Sequence, residues 1–567
     1  MKTAHVGNIA NNAYLVAKFL RRKGEDAHAF HFRAEFIMGH PEWEDADFDA
    51  DLDPFAPAPW EAVRFTNGYV RPPWVHYLSG LPAPYELPPQ APGGTAARLM
   101  AATYGDGTRA SRGALPRLLR AGSAALAARY AALARQGQLR PDERLQLHGL
   151  ALVRLAVERL AAERAERRLF LNDRLRAVLA EAEAINAHSR LAAAGQRIRM
   201  RELAKAPFWP SYRPLAADFD LVQLYGLEAA KGVFLPPEKP FVAFEHSTMR
   251  SLPFENTVQG RLLALAYKSA DYCVITNPDV VGSARRLGLE RYRFIPHPLD
   301  ETKYTPAETP ETPLRAELRR QTGADLIFLC PTRHEWSSAF DSKRSDRVIR
   351  AFAAYCRGDH PRAALVLSRW GRDVRASEAL IRQAGVEDRV VWRHPMPKLR
   401  LLDHYRAADI VLDQFHEDVG TFGTVTAEAL ACARPVVMYF NPKVHEWCLP
   451  EMPPIESALT EQEIHDRLVA LAHDPDCRRR VGAASRAWVR RWHGWERCAD
   501  DHLAIYAEVM ARRGAQVSGP RGRRSPVGGQ LSAVGGHPSA VSCQPSAVGG
   551  EGARIRAAKG HGSPLGE

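Results

Sequence analysis

The chain has 567 residues, of which 46% are hydrophobic and 25% charged, and its formal net charge at pH 7 is +12. This length is too great for one ordinary hydrophobic core, so we expect a globular protein of two or more domains. Because no apolar run reaches about 18 residues, a membrane-spanning helix is excluded. The opening residues, MKTAHVGNIANN, lack an apolar core, and we therefore expect no secretory signal.

The cysteines and the positive charge indicate a location and exclude one class of partner. Cys273 and Cys330 lie within apolar runs and no C-x-x-C pair occurs, which indicates reduced thiols and a cytoplasmic protein. The positive charge favours anionic ligands or membrane surfaces. Because the sequence has neither zinc-finger spacing nor an RNP-type aromatic motif, we expect no nucleic-acid partner.

The first part of the chain alternates strands with helices. TAHVGN predicts a short buried strand, IANNAY a polar loop, LVAKFLRRKG a helix that ends at Gly24, and DAHAFHF a second strand. Residues 42–53, EWEDADFDADLD, carry spaced aspartates that suggest a metal site. An EF-hand loop, however, needs glycine at the position of Ala50 and glutamate at that of Ala56. We therefore interpret these residues as a solvated acidic loop and expect no bound metal.

Two further regions differ in composition. From about residue 98 to residue 205 the chain is rich in Ala, Leu and Arg, which predicts a helical insertion packed on the sheet. Its apolar face is formed by Leu171, Leu175, Val178, Ala182 and Ile185. The alternative is contact with anionic lipid through the basic residues Arg197, Arg199, Arg201 and Lys205. From about residue 514 onward, repeated Ser-Ala-Val with Gly and Pro predicts a disordered tail.

A second alternation follows a Pro/Thr/Glu-rich stretch at residues 299–313, which we interpret as an interdomain linker. Its strands are predicted at LIFLCPT, ALVLSRW, RVVWRH, DIVLDQF and PVVMYF. Apolar strands alternating with helices are typical of a covered parallel sheet, so we predict an α/β protein with two Rossmann-like domains facing across a cleft. The predicted ranges are 1–298 and 314–490 for the domains, 491–513 for a helix returning to the first, and 514–567 for the tail.

The turn GTFGTV after DIVLDQF is suited to binding phosphate. Gly420 and Gly423 allow close approach, and the helix that begins near Thr424 directs its positive end towards a ligand. Glu428 lies about one turn into this helix, where a carboxylate could accept hydrogen bonds from a ribose diol. From the spacing alone, it is equally compatible with the pattern that Glu428 is an ordinary helix residue without a binding role.

Two cations follow the first strand of the same domain. Arg333 lies at the strand end and Lys343 at the start of the next helix. Cations that converge on one face from separate positions favour a pyrophosphate clamp, although each alone is also typical of a surface charge.

Four stretches of the chain together resemble glycosyltransferase family 4. Three of them lie in the second domain: the first is PTRHEWSSAFDSK together with DRVIRAF, the second is HYRAADIVLDQF and the third is FGTVTAEALACARPVV. The opening HVGNIANNAYLVAKFLRRKG is similar to the family's first strand, loop and helix. The resemblance implies the GT-B fold and a retaining, metal-independent transferase of hexosyltransferase type. Its co-substrate would be a nucleoside-diphosphate sugar and it would need no cofactor.

The resemblance also implies roles for individual residues. Arg333 and Lys343 match the residues that bind the donor diphosphate, and Glu428 matches the second glutamate of the E-x7-E motif, which holds the ribose. Gly423, Thr424 and Val425 match the turn whose amides meet phosphate, and the remaining matches are His246 beside the donor sugar and Gly7 with Asn8 in the loop that closes on it.

One position departs from the family pattern. The first glutamate of the motif, which holds hydroxyls of the donor sugar, is replaced by Gly420. Glu417 and Asp418, just upstream, are candidates to replace it.

Three functions remain open from the sequence. The first is glycosyl transfer to an unknown hydroxyl of a glycan, lipid or small molecule, by a cytoplasmic enzyme with peripheral contact to the inner face of the membrane. The second is a catalytically silent GT-B domain that binds a nucleotide or glycan and acts as a scaffold. The third is a nucleotide-sugar epimerase.

Overall fold

The fold is seen in a computed structural model. It describes residues 1–32, 37–52, 58–78, 217–235, 238–255, 257–337 and 342–518. The predicted helical insertion at 98–205, with its basic cluster, lies outside the described residues, and so does the predicted tail beyond residue 518.

The first sheet has seven parallel strands in the order β3-β2-β1-β4-β5-β6-β7. One of its inner strands, β1, pairs with β2 from Lys2↔Asp26 and with β4 from Thr3↔Leu221. The seven strands are β1 Lys2–Val6, β2 Asp26–Phe32, β3 Val75–Leu78, β4 Leu221–Tyr225, β5 Phe241–Phe244, β6 Tyr272–Ile275 and β7 Tyr292–Phe294. The almost continuous apolar burial of β4, β5 and β6 is expected for strands covered on both faces.

Among the described residues of the first half, four helices pack around this sheet. They are α1 Asn12–Arg22, α2 Pro41–Asp45, α3 Val258–Ser269 and α4 Val281–Arg286. The helix α1 ends where Arg21 and Arg22 complement its negative end, as the sequence predicts, and it buries an apolar face against the sheet.

The second sheet has six parallel strands in the order β10-β9-β8-β11-β12-β13. These are β8 Leu326–Cys330, β9 Ala363–Ser368, β10 Val390–Arg393, β11 Ile410–Leu412, β12 Val436–Met438 and β13 Glu456–Ser457. Helices of this half are α5 Pro313–Thr322, α6 Ser345–Arg357, α7 Val374–Ala384, α8 Lys398–Ala407, α9 Thr424–Ala431, α10 Pro442–His445, α11 Glu461–His473 and α12 Pro475–Trp492. Two buried clusters, one on each face of the sheet, form its core.

The last helix, α13, runs from Trp495 to Ser518, whereas the sequence places it at 491–513. It packs against α1 in the core of the first sheet, and Tyr506 Oη donates to Gln223 Oε1 at 2.7 Å. The chain therefore crosses from the second sheet back to the first. The α/β GT-B architecture consists of two parallel sheets, each covered by helices, that face each other across a cleft. The return of α13 to the first sheet completes it.

Residues 42–52 differ from the expectation of a solvated acidic loop. Glu42 is 1% exposed and Glu44 is 4% exposed. Glu42 forms an ion pair with Arg71, and Glu44 with Lys303. The prediction was wrong for Glu42 and Glu44, which are buried against cations distant in the sequence, whereas Asp49 and Asp51 are exposed, at 86% and 72%. Within the described ranges, no helix is long and apolar enough to cross a bilayer.

Candidate functional site

A cavity of about 370 Å³ lies between the two sheets. The first half contributes Ala10, Asn11, Leu15, Met38, Glu44, His246, Ser247, Arg250, Asn277, His297 and Pro298 to its lining, and the predicted linker adds Leu299, Asp300 and Tyr304. The second half contributes Pro331, Thr332, Arg333, Ser342, Lys343, Trp370, Lys398, Asp413, Gln414, Val419, Thr421, Phe422, Gly423, Thr424, Val425 and Glu428. Several of these follow parallel strands, at the edge where α/β proteins bind ligands.

Arg333 and Lys343 lie together in this lining, as a diphosphate clamp requires. Lys343 Nζ donates to Gln414 Oε1 at 2.6 Å. Burial lowers the pKa of Lys343 to about 8. The negative charge of Asp413 acts in the opposite direction, and the positive charge of Arg333 lowers the pKa further. Burial likewise lowers the pKa of Arg333. The two cations therefore raise the local positive potential in a partly desolvated place, which favours a bound anion.

The loop that carries Arg333 is fixed by the turn after β9. Asp373 accepts hydrogen bonds from the backbone N–H groups of Trp336 and Ser337 at 2.6 and 2.8 Å. Gly371 has φ +106°, and a Cβ there would lie 2.5 Å from the carbonyl oxygen of His334. Only glycine allows this close approach, so the turn holds the Arg333 loop firmly.

The N-terminus of α9 opens into the same cavity. Gly423 is its N-cap, and Gly423, Thr424 and Val425 all line the space. A Cβ on Gly423 would meet nothing within 4 Å, which shows that this side of the turn is open. The first N–H groups of a helix have no intrahelical acceptor and carry partial positive charge, so they can bind phosphate oxygens.

Glu428 is 1% exposed and borders the cavity from α9. Three side chains donate to its carboxylate: Tyr304 to Oε1 at 3.0 Å, Lys398 to Oε1 at 2.6 Å and Tyr405 to Oε2 at 2.8 Å. An ionised carboxylate has about four acceptor positions, so roughly one remains for a ligand hydroxyl.

His246 comes to the cavity from the first half, opposite Arg333 and Lys343. Asn12 Nδ2 lies 2.9 Å from its Nδ1, and the ring of His297 packs edge-on at a centroid distance of 4.9 Å. Burial lowers the pKa of His246 to about 4, with a smaller contribution from Arg250. The imidazole is therefore neutral at pH 7. If Asn12 donates to Nδ1, the ring proton lies on Nε2.

The first-domain loop reaches the cavity through residues other than Gly7 and Asn8. Among the described residues that line it, this loop supplies Ala10 and Asn11, whose φ values are 48° and 60°. Asn8 instead braces the loop, because its Nδ2 donates to Asn11 Oδ1 at 2.8 Å. Gly7 has φ +87° and lies against Glu228. The roles predicted for Gly7 and Asn8 remain predictions, and the geometry gives both residues a supporting position.

Glu417 and Asp418 lie apart from the cavity lining of the described residues. Glu417 forms an ion pair with Arg347 at 3.2 Å, and Asp418 is 81% exposed. Gly420 has φ +57°, and a Cβ there would lie 2.7 Å from Asn441 Cβ. The turn is therefore built for glycine, and replacement of the absent glutamate by either upstream acid remains a prediction.

Parts of the chain are similar to known glycosyltransferases. Residues 337–488 match the sequence model of the family described as "Glycosyl transferases group 1". A curated relative, D-inositol 3-phosphate glycosyltransferase of Xylanimonas cellulosilytica, is 31% identical over 239 residues, 40% of this chain and 54% of the relative. The enzyme of that name from Kribbella flavida is 33% identical over 143 residues, 24% of this chain and 32% of the relative. These findings support a GT-B glycosyltransferase.

The match does not extend over whole proteins. The chain spans about half the length of the first of these relatives and about a third of the second. Among solved structures, Anabaena Alr3699/HepE in complex with UDP is 16% identical, covering 52% of this chain and 80% of that one, at a TM-score of 0.42. Sucrose-phosphate synthase (tll1590) from Thermosynechococcus elongatus is 13% identical, covering 90% of this chain and all of the other, at a TM-score of 0.47.

Several cavity residues were missed from the sequence. Arg250, whose guanidinium donates to Asp279 at 2.6 and 3.0 Å, stands four residues after His246 in FEHSTMR. This short distance in the sequence was a signal from which its place in the cavity could have been predicted. Lys398 and Tyr405 reach Glu428 from α8, where sequence spacing shows only an ordinary amphipathic helix. Tyr304 comes from the predicted linker, and its side chain is packed in the core of the second half.

Proposed function

We propose that the chain is a retaining glycosyltransferase of family 4 that transfers a sugar from a nucleoside-diphosphate sugar to a hydroxyl acceptor. The observation that carries this proposal is the meeting of Arg333, Lys343, the α9 N-terminus and Glu428 in one cavity, with His246 on its opposite wall. This set offers candidate contacts for the ribose, the diphosphate and the sugar of such a donor.

The donor diphosphate would lie between the two cations and the first N–H groups of α9. Charge-assisted hydrogen bonds from guanidinium and ammonium groups are the stronger kind, and the partly desolvated site strengthens them further. The ribose would reach Glu428, one turn into the helix, where about one acceptor position is unused. The sugar would then extend towards His246.

Catalysis would rest on stabilising the departing nucleoside diphosphate. As the bond between the anomeric carbon and the diphosphate oxygen breaks, negative charge grows on that oxygen. Arg333, Lys343 and the helix N-terminus are already in place to bind it, so no resident metal or cofactor is required by the proposal. The acceptor oxygen forms the new bond on the same face, and its proton passes to an oxygen of the leaving diphosphate.

His246 would act as a neutral hydrogen-bond donor in this scheme. Its lowered pKa keeps the ring uncharged at pH 7, and Asn12 fixes the ring orientation. A proton on Nε2 can be donated to a sugar hydroxyl. This orients the donor without adding a charge beside Lys343.

The acceptor and the location are also part of the proposal. The curated relatives are named for transfer to D-inositol 3-phosphate, so this compound belongs in the acceptor set beside glycans, lipids and small molecules. We place the protein in the cytoplasm. Contact with the inner face of the membrane would come through the basic cluster at 197–205, which lies outside the described residues.

The test is turnover of a panel of UDP-, GDP- and ADP-sugars by the purified chain with these acceptors. We expect release of one nucleoside diphosphate that depends on an acceptor, continues in excess chelator and is lost in Arg333→Ala. NMR of the product should show the anomeric configuration of the donor. An inverted product would exclude the retaining mechanism, and an isomerised sugar released without acceptor would identify an epimerase.

A second candidate is a silent nucleotide-binding domain, favoured by the turn at Gly420. That turn holds glycine at φ +57° against Asn441, and neither Glu417 nor Asp418 lines the cavity. A chain that binds a nucleoside diphosphate through Arg333 and Lys343 but turns over no donor with any acceptor would support this reading.

A further inference from the structure

The acidic stretch at residues 45–51 has alternating side-chain directions. Ala46 and Phe48 are buried, whereas Asp45, Asp47 and Asp49 lie on the opposite side and are more exposed. Phe48 contacts Trp60 and belongs to a small aromatic core beneath the segment. Asp47 and Asp49 therefore face the second half, whereas Asp45 accepts hydrogen bonds from Tyr14 and Lys18 of α1. We refer to residues 45–51 as the acidic segment.

This segment is ordered by the turn at Thr66 and Asn67. The Thr66 N–H donates to the Asp47 carbonyl at 2.7 Å, and the Asp47 N–H donates to Asn67 Oδ1 at 3.0 Å. Asn67 Nδ2 donates in turn to the Asp45 carbonyl at 2.9 Å. Because the backbone is held in place, the carboxylates have fixed positions before any partner arrives.

Asp47, Asp49 and Asp51 have partners in the second half. Arg400, on α8, contacts Asp47 Oδ1 through Nε at 2.8 Å and Asp49 Oδ1 through Nη1 at 2.9 Å. His394, just before α8, lies 3.3 Å from Asp51 through its Nδ1. Burial raises the pKa of Asp47, but hydrogen bonds from Thr66 and Arg400 outweigh this and the pKa is lowered.

The same helix α8 forms part of the cavity wall. Its first residue, Lys398, and its Tyr405 both donate to the Glu428 carboxylate. Arg400 therefore lies between two residues that hold Glu428, and its own side chain contacts the first half. A displacement of α8 would alter both the contact between the halves and the surroundings of Glu428.

We propose that the acidic segment is an interdomain clamp that positions α8, and through α8 the Lys398–Glu428 pair of the cavity. Asp47, Asp49 and Arg400 are positioning residues in this account. The effect on α8 is independent of any ligand. The effect on nucleotide binding rests on the proposed function.

The primary test is hydrogen exchange of the α8 amides 401–407 in the ligand-free full chain. Asp49→Lys places a cation beside Arg400, and we expect exchange of α8 to rise about two- to fivefold, the range of exposed ion pairs. The matched control is Asp388→Lys, which disrupts the Arg362–Asp388 pair at 3.0 Å, with side chains 40% and 64% exposed. That variant should leave α8 exchange unchanged.

The background variant Arg400→Gln makes the test specific. Without the guanidinium the introduced lysine has no cation to repel on α8, so Asp49→Lys should add no further increase in α8 exchange. An unchanged rate in Asp49→Lys alone would overturn the clamp, and so would an equal increase in the Arg400→Gln background.

Nucleotide affinity provides the second readout. The probe is whichever of UDP, GDP and ADP binds the wild type most tightly, and its affinity should fall in Asp49→Lys. If none of the three binds the wild type while the exchange results hold, the proposed function fails and the clamp stands.

Discussion

Lys398 Nζ lies 2.6 Å from Glu428 Oε1, and this ion pair joins α8 to α9 at the wall of the cavity. Both side chains are largely buried, at 16% and 1% exposure. Such a pair is costly to break from one side, because the remaining charge loses its partner. Glu428 is therefore held in one orientation, which suits the proposed contact with a ribose hydroxyl.

Glu428→Gln should weaken ribonucleotide binding. The amide keeps the size and one acceptor but loses the charge, so we expect a loss of about 1–3 kcal/mol in binding free energy, measured by calorimetry. A 2′-deoxynucleotide already lacks the contact and should lose noticeably less. Equal losses for the two ligands would remove the ribose assignment. Tyr405→Phe is the matched control, because it removes one donor to Glu428 without changing the charge.

Removing either cation of the clamp should affect the diphosphate and spare the nucleoside. Arg333→Ala and Lys343→Ala should each weaken nucleoside-diphosphate binding by about 1–3 kcal/mol through loss of charge-assisted hydrogen bonds. The free nucleoside, measured in the same calorimeter, should change much less. A parallel loss for nucleoside and diphosphate would show that the mutation had damaged the fold or that the residue binds another part of the ligand.

Binding of the diphosphate should depend on pH through Lys343. Burial lowers the pKa of its ammonium to about 8, so the group is charged below that pH and becomes neutral above it. Affinity should therefore be greatest below pH 8 and should fall, by about 1 kcal/mol, as the pH rises through that value. Lys343→Arg keeps its charge to higher pH and should shift the fall upward. An unshifted profile would assign the titration to another group.

Gly420 should tolerate no side chain. A residue with a Cβ pays about 1–2 kcal/mol in the left-handed region, and here the Cβ would also lie 2.7 Å from Asn441 Cβ. Gly420→Ala should therefore destabilise the chain in urea unfolding more than Gly385→Ala. Gly385 has φ +68° but nothing within 4 Å of its Cβ, so it reports the backbone cost alone. Equal costs would mean that the turn can relax, and a glutamate could then be restored at Gly420.

The alternation of strands and helices was predictable from the sequence because parallel strands that are buried on both faces consist of continuous runs of apolar residues. LIFLCPT and ALVLSRW correspond to β8 and β9, and the fold class is confirmed. The positions of Arg333, Lys343 and Glu428 at strand ends and a helix start were predictable for the same reason. Their roles remain predictions.

Contacts between distant parts of the chain were not predictable. The acidic stretch looked solvated because its cations, Lys303 and Arg400, lie hundreds of residues away in sequence. Nothing in the linker sequence marked Tyr304 for burial, yet it is 1% exposed and donates to Glu428. The sequence shows that Gly420 stands where the family motif has a glutamate. The tight packing of Gly420 against Asn441 depends on the three-dimensional structure and could not be predicted.

The central claim is that the cavity between the two halves binds a nucleoside diphosphate through Arg333 and Lys343. The most direct test is a thermal-shift screen of the wild type and of Arg333→Ala/Lys343→Ala against UDP, GDP and ADP and their sugars. A ligand present at 100 times its Kd adds roughly 2.7 kcal/mol of stability, which is readily seen. We predict a clear shift of the wild-type Tm with one nucleoside diphosphate and its sugar, and little or no shift in the double variant. No shift with any of these ligands, or the same shift in both proteins, would contradict the account.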